Sequence, residues 1–252
     1  MYAWKCWRET RASFLFLLMM STAVALLVTF APGLKEQNGW WHFDRSEYLH
    51  NPWPTTELVT IQILSSLGMC GFLCGLFFGA TASGGEIESG TIEYLWTRPR
   101  TRASVTWIHW SVCAVEMLIV ASVPVYLAAA LLGILTKNWD MPVLVVAPWI
   151  IFLVGLPMLG LTTLLTALRR SGKGGLLYTA GAVTMYVVAR QIVTVPLHLN
   201  LPTLFVGPLM WLWTSKPFAP MGAFPWGALW RAVFLAVAFP LAAQYLLKRA
   251  EV

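Results

Sequence analysis

Six stretches of this sequence are each long and apolar enough to cross a bilayer, and nothing else in it narrows the fold so far. A spanning helix needs about 20 mostly apolar residues. The windows are 13–31, 58–82, 104–136, 143–168, 176–197 and 227–247. Charged residues make up only 11% of the 252, against about a quarter in a soluble domain. That excludes an ordinary soluble enzyme, a nucleic-acid module and a disordered tail. The net charge of +6 is no sign of a nucleic-acid partner, because the basic residues are scattered between apolar runs. The four cysteines form no disulfide framework either, since Cys70, Cys74 and Cys113 fall inside apolar windows and Cys6 lies in a basic segment. The first window is too long for a cleaved signal and is expected to remain as a span. The expectation is an all-α integral membrane protein forming one domain over residues 1–252.

Lys and Arg set the orientation. Lys5, Arg8, Arg11, Arg98, Arg100, Arg102, Arg169, Arg170, Lys173, Lys248 and Arg249 occupy one set of connections, and Lys35, Arg45, Lys137 and Lys216 the other. Both termini should therefore be cytoplasmic, in a plasma (inner) membrane. Trp40, Trp41, Trp53, Trp139 and Trp226 fall at the outer ends of spans or in the outer loops, where indole favours the interface. Between the last two windows, 198–225 is too apolar for a free loop. Its Pro202, Pro208, Pro217, Pro220 and Pro225 oppose a straight span. Short re-entrant helices in the outer leaflet or a surface hairpin both fit it.

The segment from Ala82 to Ser104 is the most informative. Gly84 and Gly85 release the chain from the second window, and Glu86, Glu88 and Glu93 suit the first part of a short helix. Ile87, Ile92, Leu95 and Trp96 recur at near-helical spacing, Pro99 ends the run, and Arg98, Arg100 and Arg102 sit where lipid headgroups begin. Physically this is either a short amphipathic helix facing the cytosol or an ordinary interfacial loop.

The run Glu86-x3-Gly90-Thr91-x-Glu93-x-Leu95-x3-Pro99-x-x-Arg102 resembles the signature of type-2 ABC transporter permeases. The resemblance covers the whole chain. It implies six spans, an N-terminal amphipathic elbow helix over 1–12, a coupling helix between spans two and three, and small outer helices between spans five and six. It further implies an exporter half that pairs with a second permease chain, identical or related, and docks two copies of a separate cytoplasmic ATPase. By this likeness Glu86, Glu88, Gly90, Thr91, Glu93, Leu95, Arg98 and Arg102 form the ATPase-coupling element. ATP and Mg would be bound by the partner and not by this chain. No phosphate-cradling loop is present: Ser171-Gly172-Lys173-Gly174 lacks both the first glycine spacing and the hydroxyl after Lys, and reads as a basic turn.

Ionisable groups inside spans are functional candidates. Glu116, Arg190 and Arg231 lie roughly 20, 22 and 24 Å from the inner ends of their windows at about 1.5 Å per residue. Their common depth suggests that Glu116 pairs with one or both arginines and braces an outer gate. The alternative is that the arginines snorkel to headgroups. His109 and the Cys70/Cys74 pair read as packing and polar contacts, with no metal site expected. Gly68, Gly71, Gly75 and Gly79 allow another helix to approach span two closely, while Gly155, Gly160, Pro148 and Pro157 make span four bendable. The family places its substrate path at the permease–permease interface, which spans two and five would flank. On these spans Phe72, Phe77, Thr184, Tyr186 and Gln191 are candidate lining residues for an apolar or amphipathic cargo.

Two other classes compete. An intramembrane protease of the rhomboid kind needs G-x-S-G, and Thr81-Ala-Ser83-Gly84 lacks the leading glycine and a histidine at matching depth. A lipid-headgroup transferase needs clustered acids for Mg²⁺, and the acid cluster here lies on the expected docking helix. A secondary carrier or membrane scaffold is the remaining possibility, although the paired broken spans of inverted-repeat carriers are not visible.

Overall fold

Apolar stretches that leave water must satisfy their backbone groups internally, which selects helices. The computed structural model describes residues 2–30, 34–37, 40–43, 70–81, 102–136, 142–197 and 226–249. Within them the helices are α1 (Tyr2–Phe30), α2 (Cys70–Thr81), α3 (Arg102–Thr136), α4 (Pro142–Arg169), α5 (Gly172–Leu197) and α6 (Trp226–Arg249). Four are long and apolar enough to cross a membrane, over Ala3–Leu27, Thr106–Leu131, Ile151–Arg169 and Leu229–Leu247. They belong to α1, α3, α4 and α6. Of the expected second span, 70–81 is helical and the rest lies outside the described residues. The expected fifth span lies within α5, which is helical throughout but is not among these four. The segments 82–101 and 198–225 also lie outside the described residues.

Two features depart from expectation. Strands β1 (Leu34–Gln37) and β2 (Trp40–Phe43) pair antiparallel, Leu34 opposite Phe43 and Gln37 opposite Trp40, in what the sequence suggested was a plain outer loop. Asn38-Gly39 lies between them in the sequence, the dipeptide that most favours a two-residue hairpin connection. The second departure is α1, which runs unbroken through the boundary at 12/13 where an elbow was to meet the first span. A single buried stripe continues across that boundary: Cys6, Thr10, Phe14, Leu17, Ser21 and Ala25, spaced by three and four residues. A helix with one continuous buried face has no reason to turn at its middle.

α4 is the centre of the bundle, with 67% of its apolar window buried against 28% for α1 and 22% for α6. It touches α3, α5 and α6, and α1 lies against α3. The main core joins Phe14 and Leu17 of α1, Cys74 and Phe78 of α2, Cys113, Met117 and Val120 of α3, and Leu156 and Leu159 of α4. A smaller cluster of Ala167, Ala243 and Leu247, with Leu164 against it, closes α4 onto α6. One close approach is between α2 and α4. A Cβ on Gly75 would fall 2.7 Å from the Gly155 carbonyl oxygen and 2.7 Å from Met158 Cβ, so only hydrogen fits there. Gly71 and Gly79 meet Ile151 and Thr162 in the same way. The α2 glycine face is thus occupied by a helix of its own chain.

The α4–α5 connection is a tight basic turn, as its sequence suggested. Arg170 takes a left-handed φ of 50°, and Ser171 caps α5 by accepting from the Gly174 N–H at 3.2 Å. The Arg169 guanidinium lies 3.8 Å from the centroid of the Tyr178 ring, securing the turn from the α5 side.

Candidate functional site

Among the described residues Glu116 is the buried carboxylate, with 2% of its surface exposed. It projects from the middle of α3 toward α1, and its Oε1 is hydrogen-bonded with the hydroxyl of Thr10, itself 2% exposed. Glu116 Oε2 is buried and has no hydrogen-bond partner among the described residues. The Thr10 hydroxyl also lies 3.1 Å from the Cys6 carbonyl oxygen and 3.3 Å from that of Trp7. Trp7 packs edge-on against Phe14 of the same helix at 5.1 Å, and both rest on the core that includes Cys113, Met117 and Val120 of α3. The pair is placed by helical phase: Cys6, Thr10 and Phe14 on α1 share a face, and Cys113, Glu116 and Val120 on α3 share the facing one.

This corrects the expected pairing of Glu116 with Arg231. Arg231 is exposed and its Nε donates to the Gly227 carbonyl oxygen at 3.1 Å, on its own helix. A guanidinium on the outside of α6 cannot reach a carboxyl enclosed between α1 and α3, and it suits the snorkelling alternative. Arg190 is in α5, and its side chain lies outside the described residues, as does that of Gln191. Glu86, Glu88, Gly90, Thr91, Glu93, Leu95 and Arg98 all fall in the segment outside them, and Arg102 is the first residue of α3. Of the proposed lining residues, Phe77 and Thr184 are exposed and Phe72 and Tyr186 are half-buried.

Several hydroxyls of the bundle are satisfied locally, whereas Ser21 Oγ, Trp110 Nε1 and Thr166 Oγ1 are buried without a hydrogen-bond partner among the described residues. Thr29, Ser122, Thr162, Thr163 and Thr179 each donate to the carbonyl four residues earlier, at 2.6–2.8 Å. All four cysteines are buried and unbridged, and Cys113 Sγ donates to the Phe78 carbonyl oxygen at 3.7 Å. Among the described residues no group of three or more His, Cys, Asp or Glu side chains is placed to hold a metal. Sequence reasoning misses Thr10, because the Trp and basic side chains of 1–12 suit a separate interfacial helix. The signal was available in the three-and-four spacing that links Cys6 and Thr10 to Phe14 and Leu17.

The four apolar helices, with outward-facing Leu15, Phe16, Val115 and Phe234, fit a multi-pass membrane protein. No family model, curated protein or solved structure matches the chain.

Proposed function

We propose that the chain is the membrane-spanning permease subunit of an ATP-driven exporter, working as a dimer with a separate cytoplasmic ATPase. The observation that carries this reading is the run Glu86–Arg102. It sets an acid-rich, glycine-released segment between two apolar stretches, on the side where Lys and Arg concentrate. In this reading the chain has six spans, both termini face the cytosol of a plasma or inner membrane, and the coupling segment faces the same side. The acids Glu86, Glu88 and Glu93 meet the ATPase, and Arg98 and Arg102 hold the far end at the headgroups. ATP and Mg belong to the partner. α5 supports a lipid-facing or subunit-facing role, since Leu177, Met185 and Val188 are exposed along it and nothing approaches Gly181 within 4 Å.

A secondary carrier is the second reading, and Glu116 favours it, because a carboxyl enclosed in the apolar layer is the kind of group that ion- and proton-driven carriers use. Isolation of the chain with its native partners separates the two. The exporter reading predicts a bound P-loop ATPase whose hydrolysis falls at least about tenfold on Glu93→Arg, the loss of one charge-assisted contact of about 1.5–3 kcal/mol. Transport that continues after ATP depletion and collapses with the ion gradient would instead establish the carrier.

A further inference from the structure

We infer that Glu116 holds a proton in the folded protein, as a neutral carboxyl donating to the Thr10 hydroxyl, so that the seam between α1 and α3 is a proton-binding site within the apolar layer. Counting hydrogens leads there. The Thr10 hydroxyl has one hydrogen and three oxygens around it: Cys6 O, Trp7 O and Glu116 Oε1. Five other hydroxyls in this bundle spend theirs on the carbonyl four residues back. Thr10 has the same partner available in Cys6 O. With that hydrogen committed, Thr10 Oγ1 meets Glu116 as an acceptor, and the hydrogen between them must come from the carboxyl.

The surroundings favour the same form. An ionised carboxylate carries charge on both oxygens, yet Oε2 is buried with no hydrogen-bond partner among the described residues. Cations on α1 lie elsewhere: Arg8 and Arg11 are exposed, and Lys5 pairs with Glu9 at 3.6 Å on the outer face. The titratable groups that share the Glu116 layer are Cys6 from α1, Cys74 from α2, and Cys113 with His109, two turns below, from α3. Among the described residues α4 and α6 bring Phe152, Leu153, Leu156, Leu159 and Ala236 to this core, none of them titratable. Nothing in that set supplies a positive charge fixed against the carboxylate, whereas a carboxyl–hydroxyl pair is neutral as a whole. The site depends on the α1–α3 contact alone and holds whichever energy source drives the protein.

Infrared spectroscopy of the full-length protein in lipid nanodiscs tests the assignment. At neutral pH the wild type should show the carbonyl-stretch band of one protonated carboxyl, lost in Glu116→Gln, displaced in Thr10→Val and kept in Thr10→Ser. Alkaline buffer should remove the band and lower the melting temperature of the wild type, while Glu116→Gln keeps its own. The sign follows from linkage: a group protonated in the folded state contributes stability that is lost as pH rises through its titration. Wild-type and Glu116→Gln spectra identical in that region would overturn the inference. A band indifferent to Thr10→Val would overturn the donation to Thr10, and this arm stands even if the glutamine variant does not insert.

Discussion

Arg170 occupies the left-handed region that glycine fills at most helix ends, and the neighbouring Ser171 then starts α5 with its own side chain. Replacing Ser171 by Ala removes the acceptor from the first turn of α5 and should lower stability by about 1 kcal/mol, read as a shift in thermal unfolding in detergent. The same variant should leave α1–α3 contacts untouched, because the turn lies at the end of α4 remote from that seam. At this scale the sequence was uneven as a guide. Glu116 stood out as an acid inside an apolar window, and its burial follows from that placement. Its partner did not stand out, because arginines at similar computed depths are charged and conspicuous while Thr10 is a small residue among Arg8, Glu9 and Arg11. Depth along a helix comes from counting residues. Which way a side chain faces comes from the phase of two helices against each other, and that is fixed by packing.

Between elements, the α2–α4 approach is an exacting contact. Gly75→Ala would put a methyl group against backbone, at 2.7 Å from the Gly155 carbonyl oxygen, and neither backbone can yield cheaply. A loss of about 1–3 kcal/mol is expected from such overpacking. Gly181→Ala on α5 is the matched control: nothing lies within 4 Å of the added carbon, and the gain in helix propensity should raise stability by up to about 1 kcal/mol. Unfolding of both variants in the same detergent checks the pair, and equal effects would mean that α2 does not pack on α4 this way. The glycine spacing announced a close approach from sequence alone. It could not announce the partner, since a four-residue repeat of small side chains fits a helix of the same chain as well as one from a second copy. The β1–β2 hairpin has its sequence signal in Asn38-Gly39, a short local motif beside much longer apolar windows. The continuity of α1 was hidden by Trp4, Trp7 and the basic side chains, which an interfacial helix and the wet end of a long span share.

For the whole molecule, the charge bias and the apolar windows define the class, and the described helices carry it as far as a multi-pass bundle centred on α4. The step to an ATP-driven permease rests on the segment between α2 and α3, and the most direct test is made there. A photo-crosslinking residue is placed at Glu88 in the full-length chain, expressed in its native membrane. Beside it, a cysteine at the same position is probed with a membrane-impermeant maleimide. The four native cysteines are buried, so background labelling should be low. The account predicts labelling only when the cytoplasmic face is opened, and a crosslinked adduct that mass spectrometry identifies as a P-loop ATPase. Labelling of intact cells from outside, or no ATPase adduct at Glu88 while transport still proceeds, would contradict it.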